Sequence, residues 1–276
     1  MQKAGTKLRV YGIDSAGLVG PVNEVIVLDK TAPSIPTVNP ISDKSKEVTG
    51  ISEALSIVYV QIGSKLYSIT ADGKGNYKVV IPIQKAGTKL KVYAVDAAKN
   101  MSTINEITVL DKTAPVVPTI NAVTDLTTMV YGKTEAYAIV KLYIAGKYQR
   151  SITADRYGTY KSTIAKQKAS TEIKVTANDK AGNISAARIV KVIDKTPPGV
   201  PTVSKVTYKS RYITGKAEKG ATVYIYKSKT FIGKGVSDSR GNFSIKITAQ
   251  KKGTLLTIYA KDRAGNQSNK KSVKVY

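Results

Sequence analysis

Asp29-Lys30-Thr31-Ala32-Pro33 recurs as Asp111-Lys112-Thr113-Ala114-Pro115 and, with one change, as Asp194-Lys195-Thr196-Pro197-Pro198. The spacings are 82 and 83 residues, so the chain is a tandem array of one module. A second marker keeps the same beat: Asp14-Ser15-Ala16-Gly17, Asp96-Ala97-Ala98-Lys99-Asn100, Asp179-Lys180-Ala181-Gly182-Asn183 and Asp262-Arg263-Ala264-Gly265-Asn266. Residues that recur in every unit usually build the unit, so each motif is weighed first as architecture. Three full units follow, 29–111, 112–194 and 195–276. Residues 1–28 match only the last third of a unit, since Gln2–Leu8 repeats Gln84–Leu90 without a mismatch. The reading is a chain that begins inside a module, as a piece of a longer protein or a shortened frame would. Its lack of a signal peptide is then no argument against export.

Composition narrows the chemistry. The 276 residues include no His, Cys or Trp. Missing His removes the commonest general base and metal ligand. Missing Cys removes thiolate nucleophiles, zinc knuckles and disulfides. No apolar run approaches the ~18 residues of a membrane-spanning helix. The net charge of +25 favours solubility and attraction to polyanions such as nucleic acid, teichoic acid or acidic polysaccharide. The plainer reading is a solvated, Lys-rich strand surface that keeps edges from pairing with other chains.

The hydrophobic period is two throughout. Leu90, Val92 and Ala94 share one face while Lys89, Lys91 and Tyr93 share the other. Equivalent rows are Ile173-Val175-Ala177 and Leu256-Ile258-Ala260. The first full unit is expected to hold seven strands, near 37–41, 46–51, 56–62, 66–70, 76–82, 89–95 and 104–110. Seven short strands in about 80 residues argue for an all-β antiparallel sandwich. Pro33-x-x-Pro36, Pro115-x-x-Pro118 and Pro198-x-x-Pro201 stiffen each connection, so a semi-rigid, monomeric, elongated rod is expected.

Thr49-Gly50…Glu53 and Thr214-Gly215…Glu218, the Gly-Asn-Tyr/Phe turns, Asp-x-Ala-Gly-Asn and Asp-Lys-Thr-Ala-Pro together resemble bacterial Ig-like domains. These are the cysteine-free kind repeated in Gram-positive surface proteins and large adhesins. The resemblance covers the whole chain and implies tandem seven-stranded antiparallel Ig-like β-sandwiches. It also implies an extracellular, cell-surface or cell-wall location. Tyr131-Gly132 in place of Thr-Gly and Lys99 in place of the turn glycine are loop-level departures.

Nothing in the sequence forms a catalytic set. Ala71-Asp72-Gly73-Lys74-Gly75-Asn76 superficially imitates a phosphate loop, but it lacks the Gly-Lys-Ser/Thr ending and a helix behind it. A hairpin turn is expected there. The carboxylates are more ordered. In an Ig-like sandwich, Asp29, Glu53, Asp72 and Asp96 would share the pole that receives the incoming linker, as would Asp111, Glu135, Asp155 and Asp179, and Asp194, Glu218, Asp238 and Asp262. Twelve of the 19 acidic residues thus map to three joints.

Two readings of these joints compete. Their oxygens could hold Ca²⁺, which takes six to eight hard ligands, and some calcium-rigidified adhesins that the chain resembles use such joints. Alternatively they cap turns through backbone N–H groups or pair with Lys30, Lys112 or Lys195. The neighbouring lysines and the inward parity of Asp96 and Asp262 favour capping, and no metal or other cofactor is assigned.

The favoured function is a non-catalytic extracellular spacer or stalk. The alternative is an adhesion module that takes an anionic cell-wall polymer or glycan on a Lys/Tyr sheet face, with Tyr59, Tyr143, Tyr224 and Tyr226 in third strands and Tyr93 and Tyr259 in sixth strands. No reading helix or RNA-binding motif supports specific nucleic-acid binding.

Overall fold

The structure is a computed structural model and describes residues 2–276. All its regular elements are strands. Residues up to Ala114, with Ala181–Asn183, form one compact unit. Pro115–Lys180 with Ile184–Tyr276 form the other.

The first unit opens with a hairpin, β1 (Lys7–Val10) and β2 (Asn23–Ile26). Then come β3 (Glu47–Ile51), β4 (Ile57–Ile62), β5 (Lys65–Thr70), β6 (Asn76–Val80), β7 (Lys89–Val95) and β8 (Asn105–Thr108). A two-stranded sheet, β3-β6, faces a four-stranded one ordered β5-β4-β7-β8, and every ladder is antiparallel. One core fills the space between them, where Val48, Tyr77 and Val79 from the small sheet meet Val58, Val60, Leu90 and Val92 from the large one. The period-two rows explain this packing. Leu90, Val92 and Ala94 are fully buried while Lys89 and Lys91 stay exposed. Burial of Leu90 and of Val92 contributes about 1.5–3 kcal/mol each.

The second unit holds two more sandwiches of this kind. The earlier one is built from β9 (Met129–Lys133), β10 (Ile139–Ile144), β11 (Lys147–Thr153), β12 (Thr159–Thr163), β13 (Glu172–Asn178) and β14 (Arg188–Lys191). Its sheets are β12-β9 and β11-β10-β13-β14. The later one has β15 (Thr202–Val203), β16 (Tyr212–Lys216), β17 (Thr222–Lys227), β18 (Thr230–Val236), β19 (Asn242–Lys246), β20 (Leu255–Lys261) and β21 (Lys271–Lys274). Its sheets are β15-β16-β19 and β18-β17-β20-β21. Each sandwich has its own buried cluster.

The expected seven strands per repeat are not all formed: only the third repeat has seven, and the first two have six. The segment expected as the first strand, 37–41, is not a strand, and the reason is local. Thr37 N–H and Asn39 N–H reach the carbonyls of Ile51 and Thr49, both at 2.8 Å. The return bond, however, is diverted. Ile51 N–H donates to Thr37 Oγ1 at 2.9 Å, and the Thr37 carbonyl instead accepts the Tyr77 hydroxyl at 2.6 Å. Lys133 N–H, Thr119 and Tyr160 repeat this arrangement. In the third repeat Phe243 stands where those tyrosines do and has no hydroxyl to offer. There Thr202 and Lys216 pair in a regular ladder, and β15 exists. One oxygen atom per repeat therefore decides whether the leading segment is a strand.

The β1–β2 hairpin lacks a covering sheet. Leu8, Val10 and Val25 are exposed by 38, 60 and 52%, whereas Leu90 and Val92 on the equivalent strand of the next repeat are fully buried.

Candidate functional site

The joints between repeats carry the densest recurring polar geometry. Each begins with an Asp whose carboxylate accepts the N–H two residues on. Thr31 N–H reaches Asp29 Oδ1 at 2.9 Å, Thr113 N–H reaches Asp111 Oδ1 at 3.0 Å, and Thr196 N–H reaches Asp194 Oδ1 at 3.1 Å. These are Asx turns, which set the chain direction through a local bond.

The second marker closes on the same linker. Asn100 Nδ2–H groups donate to the carbonyls of Asp29 and Thr31, both at 3.3 Å, and to Asp96 Oδ2 at 2.8 Å. Asn183 reaches the Asp111 carbonyl at 3.2 Å, and Asn266 reaches the Asp194 carbonyl at 3.3 Å. Asp96 and Asp262 in turn accept the backbone N–H of Asn100 and Asn266, at 2.8 and 2.9 Å. The Asp-x-x-x-Asn pair is thus a small bracket, with the Asp orienting the Asn and the Asn gripping the linker. Lys99 fits the bracket's turn by taking a left-handed φ of +69°, where Gly182 and Gly265 have +89° and +90°. Asp96 is half-buried, which opposes ionisation, but the Asn100 amide and nearby N–H groups outweigh this and hold its carboxyl below the usual range.

Two residues that the sequence reading passed over grip the linker from the other side. Asp43 Oδ1 accepts Lys112 N–H at 2.9 Å, and its Oδ2 accepts the Thr113 hydroxyl. Asp125 Oδ1 accepts Lys195 N–H at 2.9 Å, and its Oδ2 accepts Thr196 N–H at 3.2 Å. A side-chain hydrogen bond from Thr113, and at the next joint one from Thr196, hold these carboxyls below the ordinary Asp range. Parallel bridges from Ser42 to Leu110 and from Thr124 to Ile193 bring each Asp beside the departing strand. The available signal was the repeat itself: Asp43 and Asp125 hold the same place in the first two repeats, where Tyr208 stands in the third.

The expected sets of four carboxylates are dispersed into separate turns. Asp72 caps its own hairpin through Lys74 and Asn76 N–H, each at 2.8 Å, so the loop 71–76 is a turn as expected. Asp155 and Asp238 do likewise. The Asn76 amide holds the Asp72 carboxyl below the ordinary Asp range, and the Asn242 N–H does the same for Asp238. Glu53, Glu135 and Glu218 are exposed and enter their turns through backbone carbonyls, which accept Ser56, Ala138 and Ala221 N–H. Asp179 is half-buried and has partners of its own. Among the described residues, no three carboxylates gather in a metal-holding group.

Pairing of the joint Asp with Lys30, Lys112 or Lys195 side chains is also corrected. Among the described residues the ion pairs lie on strand faces, as in Lys78–Glu47 at 2.7 Å and Lys91–Glu106 at 3.6 Å. At the joints Lys112 and Lys195 contribute their backbone N–H instead. The outward tyrosines do stack. Tyr59 and Tyr93 have ring centroids 5.2 Å apart, while Tyr143 lies under Lys174 Nζ at 4.3 Å.

Several known proteins resemble this chain. The Cell wall-associated protease of Bacillus subtilis (strain 168) is 29% identical over 157 residues. That match covers 56% of this chain and only 17% of the protease's length. Among solved structures, a Ca²⁺-stabilized ice-binding adhesin of an Antarctic bacterium is 20% identical. It aligns over 97% of this chain and 80% of its own, with a TM-score of 0.31. A multidomain segment of titin is 12% identical over 88% of this chain and 99% of its own, with a TM-score of 0.42. The bacterial Ig domain family matches at residues 32–111, 114–194 and 197–276, and the chain belongs to that family.

Proposed function

We propose that these repeats form a non-catalytic spacer of a surface or secreted protein, in which each joint is held so that reach grows with repeat number. One observation carries the reading: the Asp194-Lys195-Thr196 linker is bound by Asp125 of the repeat before it and by Asn266 of the repeat after it. A linker with both flanks engaged loses most of its torsional freedom, so bending at the joint costs hydrogen bonds rather than only entropy. The prolines beside it, Pro197 and Pro198, restrict what freedom remains. Repeats that each bury their own core add length one unit at a time, each touching only its neighbours. The match to a cell wall-associated protease supports placement at the envelope.

Small-angle scattering of the whole chain tests this. A spacer gives a narrow, salt-insensitive pair-distance distribution, which broadens in the Asp125→Ala/Asn266→Ala variant while the melting of each repeat is kept. A wild-type profile that already requires freely hinged repeats would refute the reading.

A further inference from the structure

The outward face of the large sheet differs among the three repeats at four registered positions. In the first repeat Tyr59 pairs with Tyr93, and Gln61 with Lys91. In the second, Lys141 pairs with Thr176, and Tyr143 with Lys174. In the third, Tyr224 pairs with Tyr259, and Tyr226 with Thr257. The third repeat therefore carries three rings on this face, and it has Thr where both others have Lys.

The consequence is a cleft. Tyr224 and Tyr259 stack at 5.2 Å and 15°, and Tyr259 and Tyr226 continue the stack at 5.9 Å and 13°. Phe231 closes one end edge-on at 5.5 Å from Tyr226. In the second repeat the Lys174 side chain lies across the Tyr143 ring. The short Thr257 leaves the matching space open as a groove of about 300 Å³. Tyr226 and Tyr259 line it together with Thr257, Gln267, Lys229 and Lys270. None of its lining residues is acidic, and among the described residues no ion pair neutralises Lys229 or Lys270.

We propose that this groove binds an acidic oligosaccharide, with a pyranose ring against Tyr226 and Tyr259 and its carboxylate between Lys229 and Lys270. The chemistry of the wall selects this class. Aromatic rings offer apolar, electron-rich surface to the C–H face of a sugar. Thr257 and Gln267 supply the few placed polar groups that fix orientation. Two unpaired ammonium groups beside a ring supply a charge that a neutral sugar would leave unused. Burial and the neighbouring Tyr226 hydroxyl push the Tyr259 phenol up to about 12, so the ring stays uncharged at neutral pH. The proposal does not rest on the spacer reading, because a held joint and a ligand groove occupy different residues and either can fail alone.

The test uses the whole chain, titrated calorimetrically with a tetragalacturonate at about physiological ionic strength, where contacts beyond ~8 Å are screened. Poly(glycerol phosphate) and a neutral tetrasaccharide of equal length serve as comparators. Saturable binding of the uronate, not matched by either comparator, is expected. The informative variant is Thr257→Lys, which installs the residue both sister repeats carry on the same strand. It adds a positive charge while filling the groove, and binding should fall about tenfold or more. Tyr226→Ala should fall by a similar factor, the loss expected for one stacked ring. Lys174→Ala in the second repeat should change nothing. Undiminished or tighter binding by Thr257→Lys would mean that charge alone attracts the ligand and would overturn the site. Equal affinity for poly(glycerol phosphate) or for the neutral sugar, or no saturable binding, would overturn it too.

Discussion

Gly50 sits where the leading segment crosses the small sheet, and replacing it with alanine asks how firmly that segment is bound. A Cβ on Gly50 would lie 2.0 Å from the Thr37 carbonyl oxygen, 2.8 Å from its carbon and 2.7 Å from the Tyr77 hydroxyl. Backbone atoms cannot yield as a side-chain tip can, so the segment must withdraw. Withdrawal breaks four bonds: Thr37 N–H to Ile51, Asn39 N–H to Thr49, Ile51 N–H to Thr37 Oγ1, and the Tyr77 hydroxyl to Thr37. At a net ~0.5–1.5 kcal/mol each the limit is about 2–6 kcal/mol. Water can replace some partners on this partly exposed edge, so a loss near 3 kcal/mol is expected. For a domain of this size that corresponds to a fall of roughly 10–20 °C in melting temperature.

Scanning calorimetry of Gly50→Ala should show one transition moved down and two unmoved, because each sandwich has a separate core. Gly73→Ala is the control, since nothing lies within 4 Å of its Cβ. If Gly50→Ala melts within about 2 °C of the parent, the close crossing is not what requires glycine in the Thr-Gly motif.

Tyr160→Phe should cost the second repeat about 1 kcal/mol and create a short strand at 119–120, visible as a shifted Lys133 amide resonance as that N–H moves from the Thr119 hydroxyl to the Thr119 carbonyl. Burial pushes the Tyr77 and Tyr160 phenols up to about 12. Their stabilising share is complete below the unfolded value of ~10 and is lost as pH rises toward 12, and Tyr160→Phe should remove the second repeat's part of that alkaline loss. Asp43 and Asp125 behave oppositely, having lowered values. Their grip should be intact above the unfolded Asp value of ~3.9 and fail only as pH falls below it. Scattering across pH 7 to 3 should show the joints loosening only at the acid end. Calcium at millimolar concentration, the range of weak extracellular sites, should leave all three melting transitions in place. A rise of several degrees would show the dispersed carboxylates regrouping around the ion. The β1–β2 hairpin, with both faces wet, should exchange its amides far faster than β7. Equal protection would refute its being marginal.

The sequence reading succeeded where structure follows from local alternation and failed where it depends on which atom takes a hydrogen bond. Leu90-Val92-Ala94 announced a buried row and is one. The turn at Asp72–Asn76 was legible because Asp, Gly and Asn each have a local reason to be there. The strand expected at 37–41 obeyed the same alternation, but the Tyr77 hydroxyl, forty residues away, claims the carbonyl that a ladder would use. No period in the segment reports that. Asp43 and Asp125 were missed for a similar cause, since their partners lie 69 and 70 residues on. The carboxylates share a pole without gathering into one group, because the Asp side chains turn first to nearby N–H groups and the Glu side chains stay exposed.

Comparing the repeats position by position separates what the fold needs from what a particular repeat does. Gly50, Gly132 and Gly215 never vary, and each would place a Cβ 2.0 Å from the same carbonyl. The Asp that grips a linker is present at Asp43 and Asp125, and Tyr208 occupies that position in the third repeat. The outward face varies most: Tyr59, Lys141 and Tyr224 occupy one position, and Lys91, Lys174 and Thr257 another. Outward positions bear little folding free energy, so they are free to differ at small cost in stability. Tyr224, Tyr226 and Tyr259 nonetheless occupy three such positions in a single repeat, beside a Thr where the other two repeats carry Lys. Folding alone gives no reason for that coincidence, whereas a ligand on that face does.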